Sequence, residues 1–230
     1  MKFKNWGGLE MSLGLTLLFA VIFVLFPRVD LTVSGWFFDP ARGFYLGAVP
    51  VLVALRETVW TVSELIFVVI LLSMIGGAIW PRVKLLPVRE GAFALASLFL
   101  GPGLLVNGIL KAHWGRARPN SVEEFGGTLS YSPPLVPSDQ CLNNCSFVSG
   151  EASLVVTTAL VLILLSLPRV SVRRGRWVIG VLGVIATATS LLRIFFGGHF
   201  LSDVIFAALI SAVIVFALHR LIVRKAPAKA

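Results

Sequence analysis

Six apolar runs, each close to 20 residues long, constrain this chain more than any other feature. They cover roughly 8–26, 58–79, 91–110, 152–167, 177–196 and 204–223. A run of about 20 apolar residues is the length an α-helix needs to cross the hydrocarbon of a bilayer. Within lipid every backbone N–H and C=O must be satisfied inside the segment, so such runs fold as helices. The rest of the chain agrees: 57% of the 230 residues are hydrophobic and 13% are charged. A soluble domain is far more polar. The expected fold is therefore an all-α integral membrane protein with six transmembrane helices. Residues 1–230 read as a single domain, because no linker, repeat or low-complexity tract divides them. The fourth run is short and is expected to extend back through "CSFVSGE". A further run, "VPVLVAL", is too short to span and reads as an interfacial helix. The first run follows Lys2 and Lys4 as a signal peptide would. "FPRVD" follows it where a small-residue cleavage site would stand, so an uncleaved first span is expected.

Six spans put both termini on one side. That side receives 13 of the 20 basic residues: Lys2, Lys4, Arg82, Lys84, Arg89, Arg169, Arg173, Arg174, Arg176, Arg220, Arg224, Lys225 and Lys229. The other receives Arg28, Arg42, Arg56, Lys111, Arg116, Arg118 and Arg193. Cytoplasmic loops carry the excess of Lys and Arg, so the termini are expected in the cytoplasm. Trp6, Trp60, Trp80, Trp114 and Trp177 are expected at span ends, as an aromatic belt. The net charge of +9 is then a topological signal and an attraction to anionic lipid. The basic residues are scattered over short loops without a binding module, which argues against a nucleic-acid partner. Cys141 and Cys145, in "CLNNC", fall in the long outer loop, where an oxidising compartment permits a small disulfide or two free thiols.

Three clusters of polar residues fall at span ends on that outer side. "KAHWGRARP" carries Lys111, Arg118 and Pro119; "CSFVSGEAS" carries Ser149, Gly150 and Glu151; "RIFFGGHFLSD" carries Arg193, His199 and Asp203. Charge near a membrane is costly and marks function or an interface. Lys111, Arg118 and Arg193 lack a matching set of carboxylates, so an anion is their natural partner, and guanidinium forks suit phosphate oxygens. Ser149 and Gly150 open an apolar helix, where backbone N–H groups are free to bind an anion. His199 and Asp203, four apart, share a helix face. A carboxylate on one ring nitrogen fixes the tautomer and leaves the other nitrogen as a nucleophile. Gly197 and Gly198 permit close approach of the backbone to a ligand. Together these groups are what phosphoryl transfer without a metal requires. His113 and His219 read as interfacial and structural side chains, Arg116 as an outer-loop charge, and Glu64, inside the second span, has no assigned role.

The pattern K-x6-R-P, then S-G, then R-x5-H-x3-D resembles the type 2 phosphatidic-acid phosphatase superfamily. The segment "DLTVSGWFFDP" is also similar to bacterial members. The resemblance covers three motifs in order between residues 111 and 203. It implies a phosphohistidine intermediate on His199 supported by Asp203, and phosphate binding by Lys111, Arg118, Ser149, Gly150 and Arg193. It implies no metal or cofactor. Two departures stand out. The family's second motif reads P-S-G-H, with the histidine protonating the leaving group; here Val148 and Glu151 take the first and last places. Leu192 stands where the third motif has serine. Glu151 is the expected proton donor in place of that histidine.

The expectation is a lipid phosphatase of a bacterial inner membrane, its active site facing the periplasm and its partners the bilayer and a membrane lipid phosphate. Lipid A, polyprenyl diphosphate, phosphatidylglycerophosphate and phosphatidic acid all fit the motifs. A lipid phosphotransferase of the same family is the nearest alternative. A non-catalytic lipid-phosphate binder or transporter is the alternative from another class, opposed by the presence of both His199 and Asp203. The sequence carries no sign of oligomeric state.

Overall fold

The computed structural model describes residues 7–224. The expectations that rest on Lys2, Lys4, Trp6, Lys225 and Lys229 lie outside the described residues, as do the two ends of the chain. Among the described residues there are six helices long and apolar enough to cross a membrane: Gly8–Leu25, Pro50–Ile79, Val88–His113, Gly150–Arg169, Val172–Phe195 and Leu201–Val223. These are the first to sixth spans of a multi-pass membrane protein.

Where the spans begin departs from the sequence-based expectation in two places, both set by capping chemistry. The second span opens at Pro50, not near residue 58, with Val49 extended before it. Proline at the first helical position has its φ already set and lacks an N–H that would be unpaired there anyway. The run "VPVLVAL" is therefore the first part of a 30-residue helix and not a separate interfacial one. Trp60, expected at a span end, lies well inside that helix and lines a cavity. The fourth span does not extend back through "CSFVSGE". Ser149 caps it, its side chain accepting from Ala152 N, and helix begins at Gly150.

The fourth span is the centre of the bundle. It packs on the second, third, fifth and sixth, and half of its apolar window is buried, against 17% for the first span. The first span sits outside, against the sixth, with Phe23 on Phe206 at 5.9 Å. One core cluster, including Phe23, Val106, Phe147, Ile194 and Phe206, fills the loop-rich end of the bundle. Another, including Phe67, Phe93, Leu154, Val161 and Val215, fills the opposite half. The third span widens to π-type hydrogen bonding over Phe99–Leu110 around Pro102, which has no N–H to give. Asn107 donates its Nδ2–H to the Pro102 carbonyl at 2.7 Å.

The connections 26–49 and 114–149 meet at one end of the bundle. The two-turn helix Val29–Gly35 packs on the sixth span. Phe38, Phe44 and Phe125 form a three-ring cluster with centroids 5.2–5.4 Å apart. The Tyr131 hydroxyl donates to the Pro27 carbonyl at 2.5 Å. That same end holds the close of the third and fifth spans and the start of the fourth and sixth, so all three polar clusters converge there.

Candidate active site

The centre of this end is Arg116, which the sequence reading took for a loop charge. It is fully buried. Its Nε–H donates to the Ser132 carbonyl at 2.9 Å, Nη1 to Asp203 Oδ1 at 2.6 Å and Ser202 Oγ at 2.9 Å, and Nη2 to Asp30 Oδ2 at 2.8 Å. Phe200 stacks beneath the guanidinium at 4.3 Å. A guanidinium loses its hydration on burial, a cost that carboxylates must offset, and two do so here from distant parts of the chain. Asp30 also accepts from the Ser202 backbone N–H at 2.8 Å. Burial pushes the Asp30 carboxyl above the usual carboxylate range; Arg116 opposes that rise and the Asp203 charge adds to it.

Asp203 sits behind His199, not in the open site. Its Oδ2 accepts from Ser146 Oγ at 2.5 Å and from the Phe200 N–H at 2.9 Å, capping the sixth span. His199 Nδ1 lies 3.7 Å from that oxygen and 2.8 Å from the Ser146 carbonyl. The tautomer-fixing partner expected from the sequence was Asp203. The atom within hydrogen-bonding distance is the Ser146 carbonyl, with Asp203 orienting Ser146 through its hydroxyl. A carbonyl only accepts, so Nδ1 carries the proton in the neutral ring and Nε2 keeps its lone pair. Burial holds the His199 ring well below its usual range, at about 4, with Arg193 and Lys111 pushing the same way and Asp203 opposing. The imidazole is therefore neutral at physiological pH.

The His199 ring lines a cavity of about 810 Å³. Lys111, Arg118, Arg193, Gly150 and Glu151 line it too, so six of the eight expected site residues meet in one chamber. The other two, Ser149 and Asp203, stand just behind the wall. The Ser149 hydroxyl caps the fourth span. Arg118 donates through Nη2 to the Asn144 carbonyl at 2.9 Å, and burial draws its pKa below the usual arginine value. Arg193 keeps a buried Nε with no partner among the described residues. The glycines of "FFGGH" serve this arrangement. Gly197 takes φ +63°, and a Cβ there would stand 2.3 Å from the Phe44 ring. A Cβ on Gly198 would stand 2.8 Å from Arg193 Nη2. These two glycines thus admit Phe44 and the arginine fork against the backbone.

Two cavity residues escaped the sequence reading. Arg56, from the second span, donates Nε and Nη2 to the two carboxylate oxygens of Glu151, each at 2.6 Å. Glu151 also lies 3.5 Å from Arg193 Nη1. Asn107 lines the cavity beside Gly150, where a Cβ would meet its Oδ1 at 2.8 Å. Hydropathy alone starts the second span near residue 58 and leaves Arg56 in a loop, whereas the helix begins at Pro50 and carries it. An arginine inside a span is itself the signal that marks it. Cys141 and Cys145 are joined as a disulfide, with Cα atoms 5.6 Å apart. Below the cations the cavity wall turns apolar, with Phe67, Val68, Leu71, Leu95 and Leu98. A charged rim over an apolar shaft suits a molecule with an anionic head and hydrocarbon tails.

Residues 91–227 match the PAP2 superfamily. The chain belongs to that superfamily. It is 31% identical over 207 residues to a protein of Francisella tularensis subsp. novicida named lipid A 4'-phosphatase, covering 89% of this chain and 91% of the relative. It is 35% identical over 214 residues to a protein of the same name from Rhizobium leguminosarum, covering 85% and 88%. A transmembrane PAP2-type phosphatidylglycerolphosphate phosphatase from Bacillus subtilis has the same fold, with a TM-score of 0.63, 18% identity, and coverage of 95% of this chain and 98% of that one. Membership makes the chain a membrane phosphatase of the phosphoric ester hydrolase class.

Proposed function

We propose that this PAP2 enzyme removes a phosphate monoester from lipid A at the periplasmic face of a bacterial inner membrane, through a phosphohistidine on His199. The observation that carries the mechanism is the Ser146 carbonyl at 2.8 Å from His199 Nδ1, which leaves Nε2 as the basic nitrogen of a ring lining the cation-rimmed cavity. The names of the two relatives that match across most of their length support the substrate. The distribution of basic residues supports the periplasmic face.

In the first step Nε2 attacks phosphorus in line, the P–O bond to the sugar breaks, and the leaving oxygen takes a proton from solvent, to which the attacking water of the second step returns one. Lys111, Arg118 and Arg193 balance the charge on the phosphoryl oxygens, and Gly150 offers its helix-end N–H. In the second step water attacks phosphorus, the P–N bond breaks, and inorganic phosphate leaves with the histidine restored. Glu151 takes a different part from the one its sequence position suggests. A carboxylate gripped at both oxygens by Arg56 is an acceptor, so its role is to hold Arg56 and Arg193 toward the substrate.

Rapid quenching with lipid A labelled in the 4'-phosphate tests this. The expected result is label on the protein that is acid-labile and base-stable, followed by free phosphate. His199→Ala, folded by thermal melt, should show neither, with turnover reduced by about 10⁴ or more. Label on another residue, or near-normal release by the variant, overturns the histidine mechanism. Label that ends on a second lipid and not on water makes the enzyme a phosphotransferase.

A further inference from the structure

The buried cluster behind His199 holds more negative charge than positive. Arg116 is flanked by two carboxylates, Asp30 and Asp203, and all three side chains are fully buried. Asp203 Oδ2 lies 3.7 Å from His199 Nδ1 and accepts from the hydroxyl of Ser146, the residue whose carbonyl meets that ring nitrogen. Asp30 comes from the two-turn helix after the first span, outside the residues that match the family, and it lines no part of the cavity. It nevertheless grips both halves of this assembly. Its Oδ2 accepts from Arg116 Nη2 at 2.8 Å and from the Ser202 hydroxyl, and its Oδ1 accepts from the Ser202 N–H at 2.8 Å. Ser202 Oγ in turn accepts from Arg116 Nη1 at 2.9 Å. Ser202 stands in the first turn of the sixth span, just after His199, where backbone N–H groups have no partner within the helix.

We infer that Asp30 is a positioning residue for the His199 nucleophile: it fixes Arg116 against the start of the sixth span, and its charge leaves the cluster behind the ring net negative. This rests on the histidine mechanism above and deepens it. Every hydrogen bond that Asp30 makes is one it accepts, as an ionised carboxylate does. Arg116 cancels the charge of one carboxylate, so Asp203 without Asp30 would leave the cluster neutral. With Asp30 the cluster keeps a surplus negative charge. As Nε2 bonds phosphorus while Nδ1 keeps its proton, the ring gains positive charge. A fixed negative charge beside it stabilises that state more than it stabilises the neutral ring, which is what speeds a step. Asp30 therefore acts on the transfer of the phosphoryl group to His199 and not on phosphate binding, which falls to the cations lining the cavity.

Two readouts test this on the full chain in nanodiscs. Rapid quenching with lipid A labelled in the 4'-phosphate gives the rate of phosphohistidine formation, and equilibrium dialysis of inorganic phosphate gives the affinity of the cavity. Asp30→Asn keeps the shape of the side chain and removes its charge. It is expected to slow phosphohistidine formation by about 10- to 100-fold, the range of a hydrogen bond to a charged group, with the Kd for phosphate little changed. Should Asp30→Asn not fold by thermal melt, Ser202→Ala takes its place. That variant keeps the charge and loses the hydroxyl bridging Arg116 to Asp30, so the expected slowing is about 3- to 10-fold, again with the Kd for phosphate little changed. A folded variant that forms phosphohistidine at the wild-type rate overturns the inference. So does a rise in the Kd for phosphate that matches the loss of rate, which is what a merely structural role would produce. A wild type that releases phosphate without label on His199 overturns the histidine mechanism and this inference with it, whereas a labelled wild type beside an unaltered variant removes the role of Asp30 alone.

Discussion

Glu151 shows how one side chain's partners decide its chemistry. By position it replaces a proton donor; by contact it is a two-point acceptor for Arg56, with Arg193 close by. The two roles part on substitution. If Glu151 orients the arginines, Glu151→Gln keeps one oxygen for Arg56 but loses the charge, so KM should rise by roughly 3- to 10-fold with a smaller fall in kcat. If it donates the proton, kcat should fall by about 10²- to 10⁴-fold with KM little changed. Steady-state kinetics on a phosphate monoester separate the two, and a large loss confined to kcat would sink the orienting role. A diphosphate is the wrong probe, since its leaving group needs a proton less. The same logic applies to Arg116. Its charge was legible in the sequence, but its place between Asp30 and Asp203 was not, because those residues are 86 and 87 positions away.

At the level of elements, the loop closed by Cys141 and Cys145 is tied into the site. Asn144, held at φ +51°, offers its carbonyl to Arg118, and the Cys145 N–H donates to the Lys111 carbonyl at 3.1 Å. The disulfide thus closes a short loop that holds Arg118 and packs on the helix end carrying Lys111, the two cations proposed to bind the phosphate. Replacing both cysteines by serine should leave the six spans assembled and raise KM by roughly 3- to 10-fold, the value of an oriented charged hydrogen bond. Reduction of the wild type should have the same effect. A variant that loses kcat and keeps its KM would show that the loop does not act through Arg118. The two helix starts misplaced from sequence have the same origin. Hydropathy reports where lipid is, whereas Pro50 and Ser149 decide where helix begins.

For the whole molecule, six spans gather every motif at one end, and which compartment that end faces decides which leaflet supplies substrate. The excess of Lys and Arg in the short loops at the opposite end is the ground for proposing that the site faces away from the cytoplasm. After reduction, a membrane-impermeant thiol reagent added to intact spheroplasts should label Cys141 and Cys145. Labelling only after the membrane is opened would put the site on the cytoplasmic leaflet and remove lipid A of the outer leaflet as substrate. The cavity supports the same picture of a lipid drawn from the bilayer plane, since its wall passes from cations to hydrocarbon without leaving the bundle.

The sequence by itself determined that the chain is a six-span helical membrane protein, because a spanning run must satisfy its own backbone and shows plainly in hydropathy. It also singled out Lys111, Arg118, Arg193 and His199 as charge where charge is costly, and these four line one cavity. The tertiary structure decided what each of them touches. The Ser146 carbonyl, not Asp203, lies on the His199 ring; Arg116 is a buried hub; Arg56 and Glu64 enter the site from the second span. None of these follows from local pattern. Each is a pairing between residues tens of positions apart, brought together by helices packing around the fourth span, and a desolvated charge takes whichever partner that packing supplies.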